Sequence, residues 1–399
     1  MNALVVDDDR LMLRLLGQQL KTLGLEDVTL CERGVEAIGL LESKPGSVSL
    51  IFCDLQMPEM DGVEFVRHLV RIGYAGCLVL VSGEEDRILQ TVEKLAKAHR
   101  LQVLGALHKP ISPAQLHQVL GENLVHGAAS RVARRTYPAD ELRRAIVAGE
   151  LENHYQPKVD LASGALTGVE TLVRWRHATD GLVFPDQFIT IAEENGIIED
   201  LTRAVLTAAL RQARLWQDAG ISLHVSVNVS MDNLSALEFP DFVVHEAEAA
   251  GVPASTLVLE VTESRLMRDP LAALDILTRL RLKRIRLSID DFGTGHSSLA
   301  QLRDIPFDEL KVDRSFVHGA CNDSALSAIV EASLSLAQKL GMTTVAEGVE
   351  DLADWDYLRT SGCDLAQGYY IAKPMLGADL ATWIASREGK QATPQVSPP

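Results

Sequence analysis

Two adjacent carboxylates, Asp290 and Asp291, end an apolar run (Ile285, Leu287, Ile289) and are followed at once by Phe292-Gly293-Thr294-Gly295. Side-by-side carboxylates repel each other and lose solvation unless positive charge lies between them. A pair of divalent cations, bridged by one of the carboxylates, meets that need. In isolation an Asp-Asp pair is more often a helix cap beside a solvated neighbour. In this chain, however, other short apolar runs end in the same kinds of side chain. Gly168-Val169 leads to Glu170, with Arg174 beyond it, and Val225-Ser226-Val227 leads to Asn228. Leu257-Val258-Leu259 leads to Glu260, with Glu263 beyond, and Glu309-Leu310 leads to Lys311 and Asp313. Thr344-Val345-Ala346 leads to Glu347, and Leu365-Ala366 to Gln367.

The elements that must position these residues are short strands separated by helical stretches. Helical patterns cover Phe188–Glu194, Leu201–Ala219, Phe242–Ala250, Leu271–Leu280, Ala325–Leu340 and Leu352–Thr360. The segment 138–387, about 250 residues, has the length of one (β/α)8 barrel of the TIM type, whose functional groups gather at the C-terminal face. Branched apolar side chains should fill the interior, so ionisable groups near strand ends mark the site. An oxygen-rich donor set without Cys or His favours Mg²⁺ or Mn²⁺ over zinc. Such a set suits two-metal hydrolysis of a phosphodiester.

Residues 1–121 alternate differently. Strand-like runs at Ala3–Val6, Val28–Cys31, Leu50–Cys53, Leu78–Val81 and Val103–Leu107 are separated by amphipathic helical patterns, the first over Leu11–Leu23. This predicts a doubly wound parallel (βα)5 sheet of the flavodoxin type, with ligands beyond the strand ends. Asp7, Asp8 and Asp9 close the first run, Asp54 the third and Ser82 the fourth, while Lys109-Pro110 follows the fifth. The acidic residues suit one Mg²⁺, and Asp54 is placed to accept a phosphoryl group whose oxygens Ser82 and Lys109 would hold.

Composition narrows the rest. The chain has 399 residues, 47% hydrophobic and 23% charged, enough for two to three domains with cores of their own. A net charge of −17 argues against nonspecific binding to nucleic acid or an anionic membrane. Five scattered cysteines without a C-x-x-C pair suit a reducing cytosol, and no apolar run is long enough to span a bilayer, so we expect a cytoplasmic protein. Residues 122–137, mixed in Gly, Ala, Ser and Arg, read as a linker, and 388–399, rich in Pro and Ser, as a disordered tail.

Leu4-Val5-Val6-Asp7-Asp8-Asp9, Cys53-Asp54-Leu55-Gln56-Met57-Pro58 and Lys109-Pro110 together resemble a two-component receiver domain. The resemblance implies Asp54 as phosphoacceptor, Asp7, Asp8 and Asp54 at one metal ion, and Ser82 with Lys109 as the switch pair. It also implies a cognate sensor histidine kinase or phosphotransfer protein. The aromatic switch residue of many receivers is replaced by Ala106.

From about Tyr137 to Arg387 the motifs resemble the EAL family of cyclic di-GMP phosphodiesterases. They are Tyr155-Gln156-Pro157-Lys158, Glu170-Thr171-Leu172-Val173-Arg174, Asn228-Val229-Ser230, Glu260-Val261-Thr262-Glu263, Asp290-Asp291-Phe292-Gly293-Thr294-Gly295, Lys311-Val312-Asp313, Glu347-Gly348-Val349-Glu350, Gln367-Gly368-Tyr369 and Lys373-Pro374-Met375. The resemblance implies Glu170, Asn228, Glu260 and Asp290 on one Mg²⁺ or Mn²⁺, and Asp290 with Asp291 on a second. Lys311 would hold a water at the metals, Glu347 would be the general base or water orienter, and Gln367 would support the site. Glu263 would brace the Asp290–Ser298 loop. Gln156, Arg174, Asp313 and Pro374 would contact the dinucleotide, Arg174 through a phosphate. The product would be linear pGpG, and the chain would form a dimer or higher homo-oligomer. Departures are Thr171 in the middle of the signature, and His296 where an aromatic usually follows the second glycine. The expectation is therefore a response regulator whose phosphorylation at Asp54 tunes hydrolysis of cyclic di-GMP. The alternative is a catalytically silent cyclic di-GMP receptor. No helix-turn-helix follows the linker, which argues against a DNA-binding regulator.

Overall fold

The computed structural model describes residues 2–25, 27–83, 86–99, 101–113, 115–117, 119–120, 137–230, 232–262, 270–294 and 299–391. The chain divides into two units, Met1–Ala133 and Arg134–Pro399. Residues 121–136, most of the expected linker, lie outside the described residues.

In the first unit, β1 (Ala3–Val6), β2 (Val28–Cys31), β3 (Leu50–Asp54), β4 (Cys77–Ser82) and β5 (Gln102–His108) form a parallel sheet in the order β2-β1-β3-β4-β5. Successive side chains of a strand face opposite sides of a sheet. Leu4, Val6, Ile51 and Cys53 accordingly join one core, and Ala3, Val5, Leu50 and Phe52 the other. Strand order reverses between β1 and β3, and a crevice opens beyond their carboxyl ends. Asp7 follows β1 directly and Asp54 is the last residue of β3, so both carboxylates reach that crevice.

In the second unit the strands are β6 (Leu151–Asp160), β7 (Leu166–His177), β8 (Gly181–Val183), β9 (His224–Asn228), β10 (Leu257–Thr262), β11 (Arg286–Phe292), β12 (Glu309–Val312), β13 (Thr343–Ala346), β14 (Leu365–Ala366) and β15 (Met375–Leu376). Among the described residues, β6, β7 and β9 through β14 close into an eight-stranded barrel, with β8 and β15 added outside the closed ring. One strand departs from the all-parallel pattern of a regular (β/α)8 barrel: β6 runs antiparallel to both β7 and β14. The hairpin between β6 and β7 is too short for the helical crossover that a parallel connection requires. Val225, Val227, Leu257, Leu259, Val261, Leu287, Ile289, Leu310 and Val312 are all buried in one core with residues of the helices Ile198–Asp218, Pro270–Leu282 and Ser324–Leu340.

The alternate residues correct the expectation of an apolar interior. Lys158, Ser226, Ser288 and Glu309 form a buried polar layer below the carboxylates instead. The last helix, Leu380–Gln391, also extends into the stretch expected to be disordered from 388. No helix of the described residues is long and apolar enough to cross a membrane.

Candidate functional site

In the first unit Lys109 Nζ lies 2.8 Å from Asp7 Oδ2 and 2.8 Å from Asp54 Oδ2. Asp9 caps the helix Arg10–Thr22, accepting from Leu11 N, and its own amide donates to Asp7 Oδ1 at 2.9 Å. Asp7, Asp8 and Asp54 offer oxygens within 4.8 Å of one another, a grouping that suits one hard cation. Burial pushes the Asp54 carboxyl above its ordinary value while Lys109 pulls it down. The Lys109 amide donates to the Ser82 carbonyl at 2.8 Å, which ties the expected switch pair together at the ends of β4 and β5. Ala106 is half-buried against one face of the sheet.

In the barrel, Lys311 is the centre. Its Nζ lies 2.6 Å from Glu347 Oε1, 2.9 Å from Glu260 Oε2, 3.0 Å from Asp290 Oδ1 and 3.6 Å from Glu170 Oε2. Burial opposes the charge on Lys311, but Asp290, Glu170, Glu260 and Glu347 hold it well above the ordinary lysine range. Part of the repulsion expected to require metal is thus relieved by this ammonium. Asn228 Nδ2 donates to Glu170 Oε1 at 3.1 Å, and Gln367 Nε2 donates to Glu170 Oε2 and, at 3.0 Å, to Gln156 Oε1. Glu170 itself lies within β7, which runs on to His177, so it is not at the strand end as expected.

A local irregularity explains how neighbours in sequence share one site. Regular strand residues point to opposite faces. The pairing of β11 with β12 shifts register between Ile289 and Phe292, and Asp291 has φ +54°, in the left-handed region that Asp tolerates better than most residues. Oxygens of Asp290, Asp291 and Glu347 therefore come within 4.8 Å of one another. Glu347 and Gln367 follow β13 and β14 on tight turns. A Cβ on Gly348 would collide with Arg314, and one on Gly368 with the Val349 backbone.

Charge in this cluster is poised for cations. Burial pushes the Asp291 carboxyl up to about 6, with Asp290 and Asp313 adding repulsion. Burial likewise pushes Glu347 up to about 8, although Lys311 opposes it. Glu260 behaves oppositely: burial raises it, but Lys158 and Lys311 bring it down to about 2. An all-oxygen donor set in which protonation relieves excess negative charge fits a hard divalent ion.

The remaining candidates make their contacts apart from Lys311. Asp313 caps the helix Arg314–Val317, accepting from Ser315 N at 2.9 Å and from its hydroxyl. Arg174 is buried, donates to the Val173 carbonyl at 2.8 Å and lies 4.9 Å over the Phe184 ring. Gln156 Nε2 donates to the Ala372 carbonyl at 3.1 Å, and Pro374 stands just before β15, which pairs with β6. Glu263 and His296 lie outside the described residues.

Sequence reasoning assigned no role to Lys158, Ser226, Ser288 or Glu309. For Ser226, Ser288 and Glu309 the signal was the two-residue spacing from Asn228, Asp290 and Lys311, which places each pair on one strand face; Lys158 had none.

The family model described as "EAL domain" matches residues 139–374, and that described as "Response regulator receiver domain" matches residues 3–121. Cyclic di-GMP phosphodiesterase RocR of Pseudomonas aeruginosa is 32% identical over 94% of this chain and 96% of its own length. Cyclic di-GMP phosphodiesterase NbdA of the same species is 43% identical over 66% of this chain. The chain spans only about a third of NbdA, 34% of its length. Among solved structures, the PaMucR phosphodiesterase in its c-di-GMP complex superposes with a TM-score of 0.58 at 41% identity, over 60% of this chain and 98% of that one.

Proposed function

The chain belongs to the EAL domain family and carries a response regulator receiver domain ahead of its barrel, and from that premise we propose that it hydrolyses cyclic di-GMP to linear pGpG under control of phosphorylation at Asp54. The observation that carries the reading is the convergence of Glu170, Glu260, Asp290 and Glu347 on Lys311, with Asn228 and Gln367 fixing Glu170.

Glu170, Asn228, Glu260, Asp290 and Asp291 would hold two Mg²⁺ or Mn²⁺ ions, which when bound neutralise phosphodiester oxygens and acidify water. Glu347, which burial raises to about 8, would give up its proton once cations are bound and would then take one from the attacking water. Lys311 would orient that water with the N–H that now meets Glu347 Oε1, while its other two stay on Glu260 and Asp290. Attack at phosphorus breaks the bond to the 3′ oxygen and leaves a 5′ phosphate. Arg174 and Gln156 would contact the dinucleotide, and Asp313 and Pro374 would border it.

In the receiver, Asp54 would accept the phosphoryl group from a sensor kinase or phosphotransfer protein, with one divalent ion on Asp7, Asp8 and Asp54. Lys109, already on Asp54, and Ser82 would then hold the phosphoryl oxygens. Assembly as a homo-oligomer rests on family likeness. A cytoplasmic location accords with five cysteines scattered along the chain with no C-x-x-C pair. The test is chromatography of products from cyclic di-GMP and Mg²⁺ or Mn²⁺: pGpG is expected, and unaltered substrate would overturn the proposal.

A further inference from the structure

One buried ammonium has no part in the reaction as described. Lys158, on the antiparallel strand β6, is 2% exposed. Its Nζ donates to Glu260 Oε1 at 2.7 Å, Ser226 Oγ at 2.8 Å and Glu309 Oε1 at 2.9 Å. Ser288 Oγ donates to the same Glu309 oxygen at 3.1 Å. A charge this deep is strongly unfavourable unless paired and hydrogen-bonded, and here every proton of the ammonium has an acceptor.

The consequence falls on Glu260. Its two oxygens serve two different lysines, Oε1 on Lys158 and Oε2 on Lys311. Ser226 and Ser288 stand two residues before Asn228 and Asp290, and Glu309 two before Lys311. The layer below therefore repeats, strand by strand, the layer that makes the site. Neighbours of this kind orient ligands and tune the ion they hold.

We propose that Lys158 is a positioning residue for the metal site. It anchors Glu260 Oε1, so that the carboxylate presents only Oε2 to Lys311 and to a divalent cation. Glu309, held by Ser288, cancels the charge that Lys158 brings. The inference rests on the two-cation reading of the barrel and adds to it a fixed, single-oxygen role for Glu260.

The test is direct Mn²⁺ binding, read by calorimetry and by the shift of the thermal midpoint on adding Mn²⁺, in the full-length protein. Lys158→Met alone would leave Glu260 Oε1 without its ammonium and Glu309 with only the Ser288 hydroxyl. The informative variant is Lys158→Met with Glu309→Gln, which removes one charge of each sign and leaves an acceptor for Ser288. We expect it to fold, to bind Mn²⁺ about 10- to 100-fold more weakly, and to need correspondingly more Mn²⁺ for half-maximal turnover. The KM for cyclic di-GMP at saturating Mn²⁺ should stay at the parent value, which a general loss of structure would not allow. Unchanged Mn²⁺ affinity in the variant, with normal binding by the parent, overturns the inference and leaves the two-cation reading standing. Absence of Mn²⁺ binding by the parent overturns both. Should the double variant not fold, Glu309→Gln alone decides: it leaves the charge of Lys158 uncancelled beside Glu260 and must also weaken Mn²⁺, or the inference fails.

Discussion

Lys311 Nζ lies 2.6 Å from Glu347 Oε1, and both groups are largely shielded from water. The proposed base therefore rests against the ammonium that would orient its water. Lys311→Met should remove that partner and leave four carboxylates facing one another. Unpairing a buried charge costs about 3 kcal/mol or more, so the metal-free variant should unfold at lower denaturant concentration. Turnover at saturating Mg²⁺ should fall about 100-fold or more. A variant with parental turnover would contradict the role given to Lys311.

Metal binding should depend on pH. Glu347 and Asp291 are raised above the usual carboxylate range, to about 8 and about 6. Between the ordinary carboxylate value and those values the metal-free folded state binds more protons than the unfolded state. Its stability should accordingly fall as pH rises from about 4.5 to about 8. Cations displace those protons, so apparent Mn²⁺ affinity should rise over pH 6 to 8. Calorimetry in two buffers of different ionisation enthalpy should detect proton release, and its absence would refute the assignment.

Asp54→Asn should abolish phosphoryl incorporation from a small-molecule phosphodonor, because the amide cannot serve as the nucleophile. Any change in pGpG formation that the donor causes in the parent should vanish in the variant. Gel mobility and initial rates, with and without donor, check both points. A donor response that survives in Asp54→Asn would remove Asp54 from the switch.

Thr171, in the middle of the signature motif, is buried and its hydroxyl has no hydrogen-bond partner among the described residues. Thr171→Val keeps the shape and removes that orphaned group. Stability should rise by about 1 kcal/mol, visible as a thermal midpoint higher by about 2–4 °C, with turnover unchanged. A loss of stability would show that the hydroxyl is used.

Much of this was legible in the chain. Leu4-Val5-Val6 and Leu50–Cys53 are apolar throughout because a parallel sheet is covered on both faces, and their acidic ends could be read directly. Leu352–Thr360 was delimited correctly, with Asp351 as its cap. The lysine layer was not legible, because nothing in the local pattern distinguishes an ammonium inside a barrel from one at its surface. Lys158 is drawn inward only by partners on β9, β10 and β12, far away in sequence. The reversed direction of β6 was likewise hidden, since it follows from the short turn and from closure with β14. Asp290 and Asp291 could be recognised as a pair, but the register shift that lets both serve one site could not.

The most direct test is the initial rate of pGpG formation from cyclic di-GMP as a function of Mn²⁺, for the parent and for Glu170→Ala. Glu170 is the carboxylate that Asn228 and Gln367 hold in place. Metal-dependent turnover in the parent, reduced about 100-fold or more by Glu170→Ala, is the result the account predicts. Tight binding of cyclic di-GMP with no pGpG at any Mn²⁺ concentration, or a near-parental rate in Glu170→Ala, would contradict it.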